Sequence, residues 1–141
     1  SQAGDSVLFH NSGWFKLPTD FNCNFCTIST APDVGVVVVG WDTVKILESV
    51  QFSGLCISFN GHGEYSLYSS NTKSNISFVN CTFSCLHVVP DHQLMIIHEG
   101  NLSLENCIFT ECPGAVIWFD GTTFSFNGCE FNTHFCATNS L

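Results

Sequence analysis

Residues 100–129 read GNLSLENCIFTECPGAVIWFDGTTFSFNGC, which is one complete unit of a repeated pattern and the start of the next. Leu102 and Leu104 alternate with polar residues and lead to a Cys-Ile-Phe step at residues 107–109. A corner containing Pro and Gly follows, and an apolar run at residues 115–119 ends at an Asp-Gly pair. Because period-2 alternation places successive side chains on opposite faces of a strand, this stretch predicts three short β-strands in each unit.

The same step, a small apolar residue followed two positions later by phenylalanine, recurs along the chain. Its copies lie 22–31 residues apart, at residues 23–25, 50–52, 81–83, 107–109 and 129–131. Three short strands in each such interval, separated by Gly, Asn, Asp, Ser and Pro corners, are typical of a parallel β-helix. The sequence therefore predicts an all-β solenoid of about five coils, with three short strands in each coil.

A β-sandwich is the main alternative, because it also uses short strands and frequent turns. An antiparallel meander, however, has no reason to repeat an Asn-Cys-x-Phe step in register at every third strand. The chain has 141 residues, of which 45% are hydrophobic and 11% charged. This composition predicts one ordered domain spanning residues 1–141 rather than a disordered chain.

The negative net charge argues against polyanionic partners. Twelve acidic residues stand against three basic ones, which are all lysines, and the formal net charge is −9. Nucleic acids and anionic membrane surfaces need cationic side chains for their phosphates, so neither is expected as a partner. No apolar run is long enough to span a membrane.

The nine cysteines point to an oxidising compartment. Metal binding is disfavoured, because the single CxxC at residues 23–26 has no second pair at zinc-site spacing. The simplest pairing lies within coils and predicts four bridges: Cys23–Cys26, Cys81–Cys85, Cys107–Cys112 and Cys129–Cys136. Cys56 is then the free cysteine, in the coil that carries Val50 where others carry cysteine. Pairing between adjacent coils and buried reduced thiols both remain open.

Three N-x-S/T sequons agree with secretion and predict N-glycosylation at Asn75, Asn80 and Asn101. Asn75 and Asn101 each lie six residues before a repeat cysteine. They are therefore expected to stack on the same face of adjacent coils.

The units NISFVNCTF (residues 75–83), NLSLENCIF (101–109) and GAVIWFDGTTFSFNGCEF (114–131) resemble the repeats of the polymorphic outer-membrane protein family. Similar cysteine-bearing repeats occur in right-handed β-helix surface proteins of eukaryotes. The resemblance implies a right-handed β-helix at a cell exterior, with adhesion or surface display as its role. It implies no catalytic residue.

Enzymatic activity is not expected, although some polysaccharide-degrading enzymes share the β-helix. There is no arginine to act as the base of a lyase, and hydrolysis needs clustered carboxylates. The acids are instead spread as single residues at corners, as at Asp33, Asp91 and Asp120. A loose group formed by His87, His92, His98 and Asp91 is the nearest approach to a metal site, but solvated histidines explain it better. No cofactor and no metal site are predicted.

The ends of the chain suggest a filament. Residues 6–10 resemble the third strand of a coil, and a third strand is due but absent after residue 136. We therefore predict an extracellular structural or cell-surface glycoprotein that stacks head to tail with itself. The alternative is an adhesin segment that binds carbohydrate or a cell-surface receptor through exposed aromatic residues, the candidates being Trp14, Trp41, Tyr65, Tyr68 and Trp118.

Overall fold

The computed structural model describes residues 6–16, 26–41, 44–45, 49–59, 65–69, 74–84, 93–110 and 117–131. All regular structure in these ranges is β-strand, and the strands pair in parallel. The chain is therefore an all-β solenoid, and the predicted parallel β-helix class is confirmed. No helix in the described ranges is both long and apolar enough to cross a membrane.

The strands, numbered in chain order, form three parallel sheets. Sheet A contains β1 (Ser6–Phe9), β3 (Cys26–Thr30), β6 (Val50–Ser53), β9 (Asn75–Val79), β12 (Asn101–Glu105) and β15 (Thr123–Asn127). Sheet B contains β2 (Gly13–Lys16), β4 (Val37–Trp41), β7 (Cys56–Phe59), β10 (Thr82–Ser84), β13 (Ile108–Thr110) and β16 (Glu130–Phe131). Sheet C contains β5 (Val44–Lys45), β8 (Tyr65–Ser69), β11 (Gln93–Ile97) and β14 (Ile117–Phe119).

The core consists of columns of inward side chains that run from strand to strand. In sheet A, Phe52 is paired with Phe78 and Phe78 with Leu104, and all three are fully buried. In sheet B, Phe83 is paired with Phe109. The parallel register places like side chains directly above one another, so each apolar residue is covered by its counterparts on the neighbouring strands.

Aromatic rings connect the sheets at the centre of this core. The rings of Phe83 and Phe109 stack with their centroids 4.6 Å apart, and those of Phe52 and Phe78 stack at 5.1 Å. Phe78 also meets Phe83 edge to face at 5.1 Å, which links sheet A to sheet B. Such pairs add roughly 0.5–1.5 kcal/mol each beyond the burial of their area.

The corner between sheets A and B depends on a left-handed residue at four successive levels, from β6/β7 to β15/β16. Gly54, Asn80, Asn106 and Gly128 have φ values of 70°, 54°, 53° and 69°. Glycine and asparagine tolerate this region better than other residues. The side chain of Asn106 lies so close to Gly128 that a Cβ there would overlap its Oδ1. This requirement explains why Asn or Gly precedes each Cys-x-Phe step of the later units.

The pairing corrects the predicted position of residues 50–52. They were expected to be equivalent to residues 81–83, but Val50 pairs with Ile76 in sheet A, whereas Thr82 pairs with Cys56 in sheet B. Leu55, and not Val50, is therefore the residue that lies level with Cys81. The error arises because a small residue and a phenylalanine two positions apart fit the inward face of either sheet.

The predicted third-strand start at residues 6–10 is also wrong. Ser6–Phe9 pairs with Cys26–Thr30 in sheet A, whereas the strand it was compared with, Ile117–Phe119, lies in sheet C. Both segments are short apolar runs followed by a turn, and that local pattern does not distinguish the sheets. The anchor predicted at residues 23–25 lies outside the described residues.

Phe83→Ala tests the aromatic core. Phe83 is fully buried and contacts rings from two other strands, so the variant is expected to lower the free energy of unfolding by about 3–5 kcal/mol. Thr82→Ala is the matched control on the outer face of the same strand, with an expected change within about 0.5 kcal/mol. Urea titration followed by circular dichroism measures both. Equal losses in the two variants would contradict this core.

Candidate functional site

The register of sheet C aligns one residue from each strand in a row, of which Tyr68 and Ile96 lie on the outer face. The register aligns Lys45 with Tyr68, Tyr68 with Ile96, and Ile96 with Trp118. Tyr68 and Ile96 are half-buried, as expected for outward positions that alternate with buried residues of the same strands. Two of the five predicted ligand-binding aromatics, Tyr68 and Trp118, thus share one row of sheet C, which we call the sheet C row.

Two polar side chains just beyond the ends of β11 and β14 meet the aromatic side chain of Tyr68 in this row. Nδ1 of His98 lies 3.2 Å from Oδ2 and 3.3 Å from Oδ1 of Asp120. The His98 ring meets the ring of Tyr68 edge to face, with centroids 5.5 Å apart. We call these three residues the Tyr–His–Asp cluster.

The backbone explains why the cluster forms. His98 directly follows β11 and Asp120 directly follows β14, so both residues leave sheet C at the same level of their strands. The amide of His98 donates to the carbonyl of Ser69 at 2.9 Å, and the amide of Asp120 donates to the carbonyl of Ile97 at 2.9 Å. The parallel ladder thus continues one residue beyond the strands and brings the two side chains together.

The exposure of the cluster limits its chemistry. The side chains of His98 and Asp120 are each 43% exposed. A carboxylate and an imidazole in solvent can exchange hydrogen bonds with a polar ligand, while Tyr68 and Ile96 offer apolar surface beside them. The arrangement therefore suits contact with a ligand better than proton transfer in a closed site.

The other predicted site residues are distributed over the fold. Trp14 lies in β2 and is 61% exposed, and its ring covers Gly40 so closely that a Cβ at Gly40 would overlap it. Trp41 lies in β4, and Tyr65 begins β8 opposite Gln93. Of the loose histidine group, His98 is described, and residues 87, 91 and 92 lie outside the described residues. In the described part of the chain, no group of three or more His, Cys, Asp or Glu side chains is arranged so that it could hold a metal ion.

The outer face of sheet A holds an open polar groove of about 400 Å³. Thr27, Ser49 and Gln51 contribute to its lining, and Asn75 and Asn101 lie there side by side. Asn75 is paired directly with Asn101, so these two sequons do stack on one face, as the spacing predicted. Asn75 is exposed and Asn101 half-buried, whereas Asn80 is exposed at the left-handed corner.

Cysteines at the start of the sheet B strands form an inward column. Cys81, Cys107 and Cys129 are thiols, as is Cys56 on the outward row of the same sheet. The S–H of each column cysteine donates to a carbonyl of sheet A: Cys81 to Phe52 at 3.5 Å, Cys107 to Phe78 at 3.4 Å and Cys129 to Leu104 at 3.5 Å. We call these three cysteines the thiol column.

This geometry bears on the predicted bridges. The structure contains Cys81, Cys107 and Cys129 as thiols directed at the core. Their predicted in-coil partners, Cys85, Cys112 and Cys136, lie outside the described residues, so these three bridges stay predictions. Cys26 is disulfide-bonded, and since the other four described cysteines are thiols, its partner is not among them. Cys23, its predicted partner, also lies outside the described residues.

Burial controls the acidity of the thiol column. Desolvation raises the pKa of the Cys81 thiol from 9.0 to about 12, and that of Cys107 from 9.0 to about 11. The two thiols therefore stay protonated at neutral pH and behave as small apolar groups of the core. Because the folded state favours the protonated form, the stability gained is present below pH 9 and is lost as the pH rises towards these pKa values.

Comparison with known proteins adds no relative: no protein-family model, curated protein or solved structure matches this chain. The resemblance to polymorphic outer-membrane protein repeats therefore stays a prediction.

The sequence does carry a signal for the Tyr–His–Asp cluster, although the repeat pattern alone did not predict it. Residues 68, 98 and 120 are 30 and 22 residues apart, which lies within the spacing of the repeat. Residues one repeat apart become neighbours in a solenoid. An assignment of each segment to its correct sheet would therefore have placed the three side chains together.

Alkylation with iodoacetamide tests the acidity of the thiol column. A pKa of about 12 in place of 9.0 leaves Cys81 with about a thousandfold less thiolate at pH 8, and the thiolate is the reactive form. Cys81 is expected to be alkylated at least about a thousandfold more slowly in the native protein than in denaturant, and after the more exposed Cys56. Mass spectrometry of the digested protein gives the rate for each cysteine. In denaturant both cysteines should react alike, and equal native rates would contradict the buried column.

Proposed function

We propose that this chain is an extracellular structural or cell-surface protein whose copies stack end to end. The proposed subunit is a single right-handed solenoid domain of about five coils with three strands each. The recurring order of sheets A, B and C along the chain supports this coil. The handedness rests on the resemblance to β-helix surface proteins.

The observation that carries the proposal is where apolar surface is exposed. Among the described residues, four of the five exposed large hydrophobic side chains lie on the outermost strands, and the fifth, Val36, directly precedes β4. Val7 is 43% and Leu8 45% exposed on β1, and Trp14 is 61% exposed on β2. At the opposite end, Phe126 is 43% exposed on β15. Exposed apolar patches of this kind mark interaction sites on soluble proteins.

The two ends also match one another in register. One inward column of sheet A runs, pair by pair, through Val7, Ile28, Phe52, Phe78, Leu104 and Phe126. Within the described part of the chain, Val7 and Phe126 are thus the two ends of one column. If β1 of a second copy paired with β15, Val7 would cover Phe126 and the column would continue across the junction.

Charge favours the same contact. The strands Ser6–Phe9 and Thr123–Asn127 carry no charged residue, so their pairing buries no charge. In sheet B, exposed Lys16 belongs to the first strand and exposed Glu130 to the last, which places opposite charges at the two ends of that sheet. A head-to-tail contact is heterologous and produces a filament where it does not close into a ring.

The wider setting belongs to the same proposal. Secretion is supported by nine cysteines and three sequons, and N-glycans are proposed at Asn75, Asn80 and Asn101. The net charge of −9 disfavours nucleic acid as a partner. The proposed role is structural and not enzymatic, with no cofactor.

Phe126→Glu tests the stacking. A carboxylate at the end of the apolar column is costly to bury against a second copy. The dissociation constant for association of two copies is therefore expected to rise at least about tenfold. Ser125→Glu is the matched control, because it adds the same charge on the exposed outer face one residue away. Sedimentation velocity over a range of concentrations measures assembly, and electron microscopy shows whether fibres form.

Two results would overturn the stacking proposal. One is a chain that stays monomeric at all concentrations. The other is a Ser125→Glu variant that loses assembly as fully as Phe126→Glu, since the end of the column would then have no special role.

A second candidate function is carbohydrate binding at the sheet C row. The observation that favours it is the Tyr–His–Asp cluster, where aromatic surface borders an exposed hydrogen-bonding pair. Sugars present both an apolar ring face and hydroxyl groups, so they suit such a surface. The strongly acidic protein favours neutral over anionic glycans.

Tyr68→Ala and Asp120→Ala test this site. Each removes one half of the proposed contact and is expected to weaken binding to a neutral glycan at least about tenfold, in keeping with the loss of a well-made contact. Ser125→Ala is the control, because it removes an exposed side chain from sheet A, away from this cluster. A glycan array followed by calorimetry on the best ligand supplies the measurement. The absence of any bound glycan, or equal losses in all three variants, would rule out this function.

A further inference from the structure

Cys107 and Cys129 face each other just before two neighbouring strands, β13 and β16, at the outer end of the thiol column. Ile108 pairs with Glu130, and the amide of Glu130 donates to the carbonyl of Cys107 at 2.9 Å. The two cysteines precede these paired residues and therefore lie directly opposite. The Cys129 side chain also contributes to the raised pKa of Cys107, as expected of neighbouring thiols.

The spacing suits a covalent link. Neighbouring strands of a parallel sheet lie about 4.8 Å apart, and disulfides join residues whose Cα atoms are about 4.4–6.8 Å apart. Both cysteines lie just before their strands begin, at the corner between sheets A and B. A small movement there can bring the sulfurs together without breaking the ladder of sheet B.

We propose that Cys107 and Cys129 form a disulfide that joins successive levels of the solenoid. This bridge differs from the in-coil bridges Cys107–Cys112 and Cys129–Cys136. It replaces two facing thiols with a covalent connection just before β13 and β16.

Exposure decides which pair of the column reacts. Cys81 is 1% exposed and Cys107 fully buried, whereas Cys129 is half-buried at the outer end. A small oxidant therefore reaches Cys129 first, and the sulfur next to Cys129 is that of Cys107. Cys81 lies one strand further inside and stays a thiol.

The chemistry is thiol–disulfide exchange with a small external disulfide such as oxidised glutathione. The Cys129 thiolate attacks this disulfide, forms a mixed disulfide and releases one small thiol. The Cys107 thiolate then attacks the Cys129 sulfur and releases the second small thiol. The protein loses two protons and two electrons, and the external disulfide takes up both as it becomes two thiols.

The buried partner sets the speed of the second step. Burial raises the pKa of Cys107 to about 11, so little thiolate exists at neutral pH. Ring closure should therefore accelerate about tenfold for each pH unit between about pH 7 and about pH 10, as the thiolate fraction grows. The closed bridge joins residues 107 and 129 and holds the last described strand of sheet B against the stack.

Peptide mapping of the full chain tests the proposal. The reduced protein is incubated with oxidised glutathione at about pH 8, where exchange proceeds through the thiolate, then quenched with acid, alkylated and cleaved after Glu and before Asp. The three relevant cysteines then fall on separate peptides: Cys107 on residues 106–111, Cys112 on 112–119 and Cys129 on 120–130. The expected product links peptide 106–111 to peptide 120–130.

Variants separate the two connectivities. Cys112→Ser should keep the link between residues 107 and 129, as should Cys56→Ser, which removes a thiol on the outward row. Cys129→Ser should abolish the link, and circular dichroism shows whether this variant remains folded. A link from peptide 106–111 to peptide 112–119, or a Cys107 that is recovered only in alkylated form, would overturn the proposal. If Cys129→Ser does not fold, the map of the parent chain and of Cys112→Ser still decides between these outcomes.

Discussion

The parallel register between neighbouring strands is the constraint on which this structure depends. It sets Phe78 between Phe52 and Leu104, and Phe109 beside Phe83, so that inward side chains are covered by their counterparts above and below. A slip of one residue would turn each of these side chains to the opposite face of its sheet. With 11% charged residues in the chain, apolar burial is the main source of stability, and the register is what makes that burial complete.

The corners maintain this register. At the turn from sheet A to sheet B, Gly54, Asn80, Asn106 and Gly128 adopt the same left-handed conformation at successive levels. The amide of Asn80 donates to the carbonyl of Glu105, and that of Asn106 to the carbonyl of Asn127, so the ladder continues around the bend. The same periodicity produces the surface sites. Tyr68, His98 and Asp120 are far apart in sequence. They meet because His98 and Asp120 follow paired residues of sheet C, and because Tyr68 is paired with Ile96, two residues before His98.

The thiol column shows how one position can serve two roles. The position just before a sheet B strand holds an apolar side chain at four successive corners. Leu55 fills it at the first of these levels, and cysteine fills it at the next three. In the interior these thiols pack and stay protonated because water is excluded. At the exposed end, Cys129 has the same kind of neighbours but meets solvent. Its chemistry therefore differs from that of Cys81 although its place in the repeat is the same.

By itself the sequence determined the parallel β-solenoid, because the same step recurs along the chain. Alternation in strands such as Asn101–Glu105 and Thr123–Asn127 also indicates which side chains face inward. It also determined that Asn75 and Asn101 stack, because their distances to the following cysteine are equal. Only the tertiary structure decided that Val50 and Phe52 belong to sheet A and that Ser6–Phe9 begins there. Period-2 alternation is identical in all three sheets, so it fixes the face of a side chain but not its sheet. Which sheet a strand joins depends on pairing between residues one full turn apart. Because the corners differ in length, the number of residues in a turn varies, and the sequence alone does not give it.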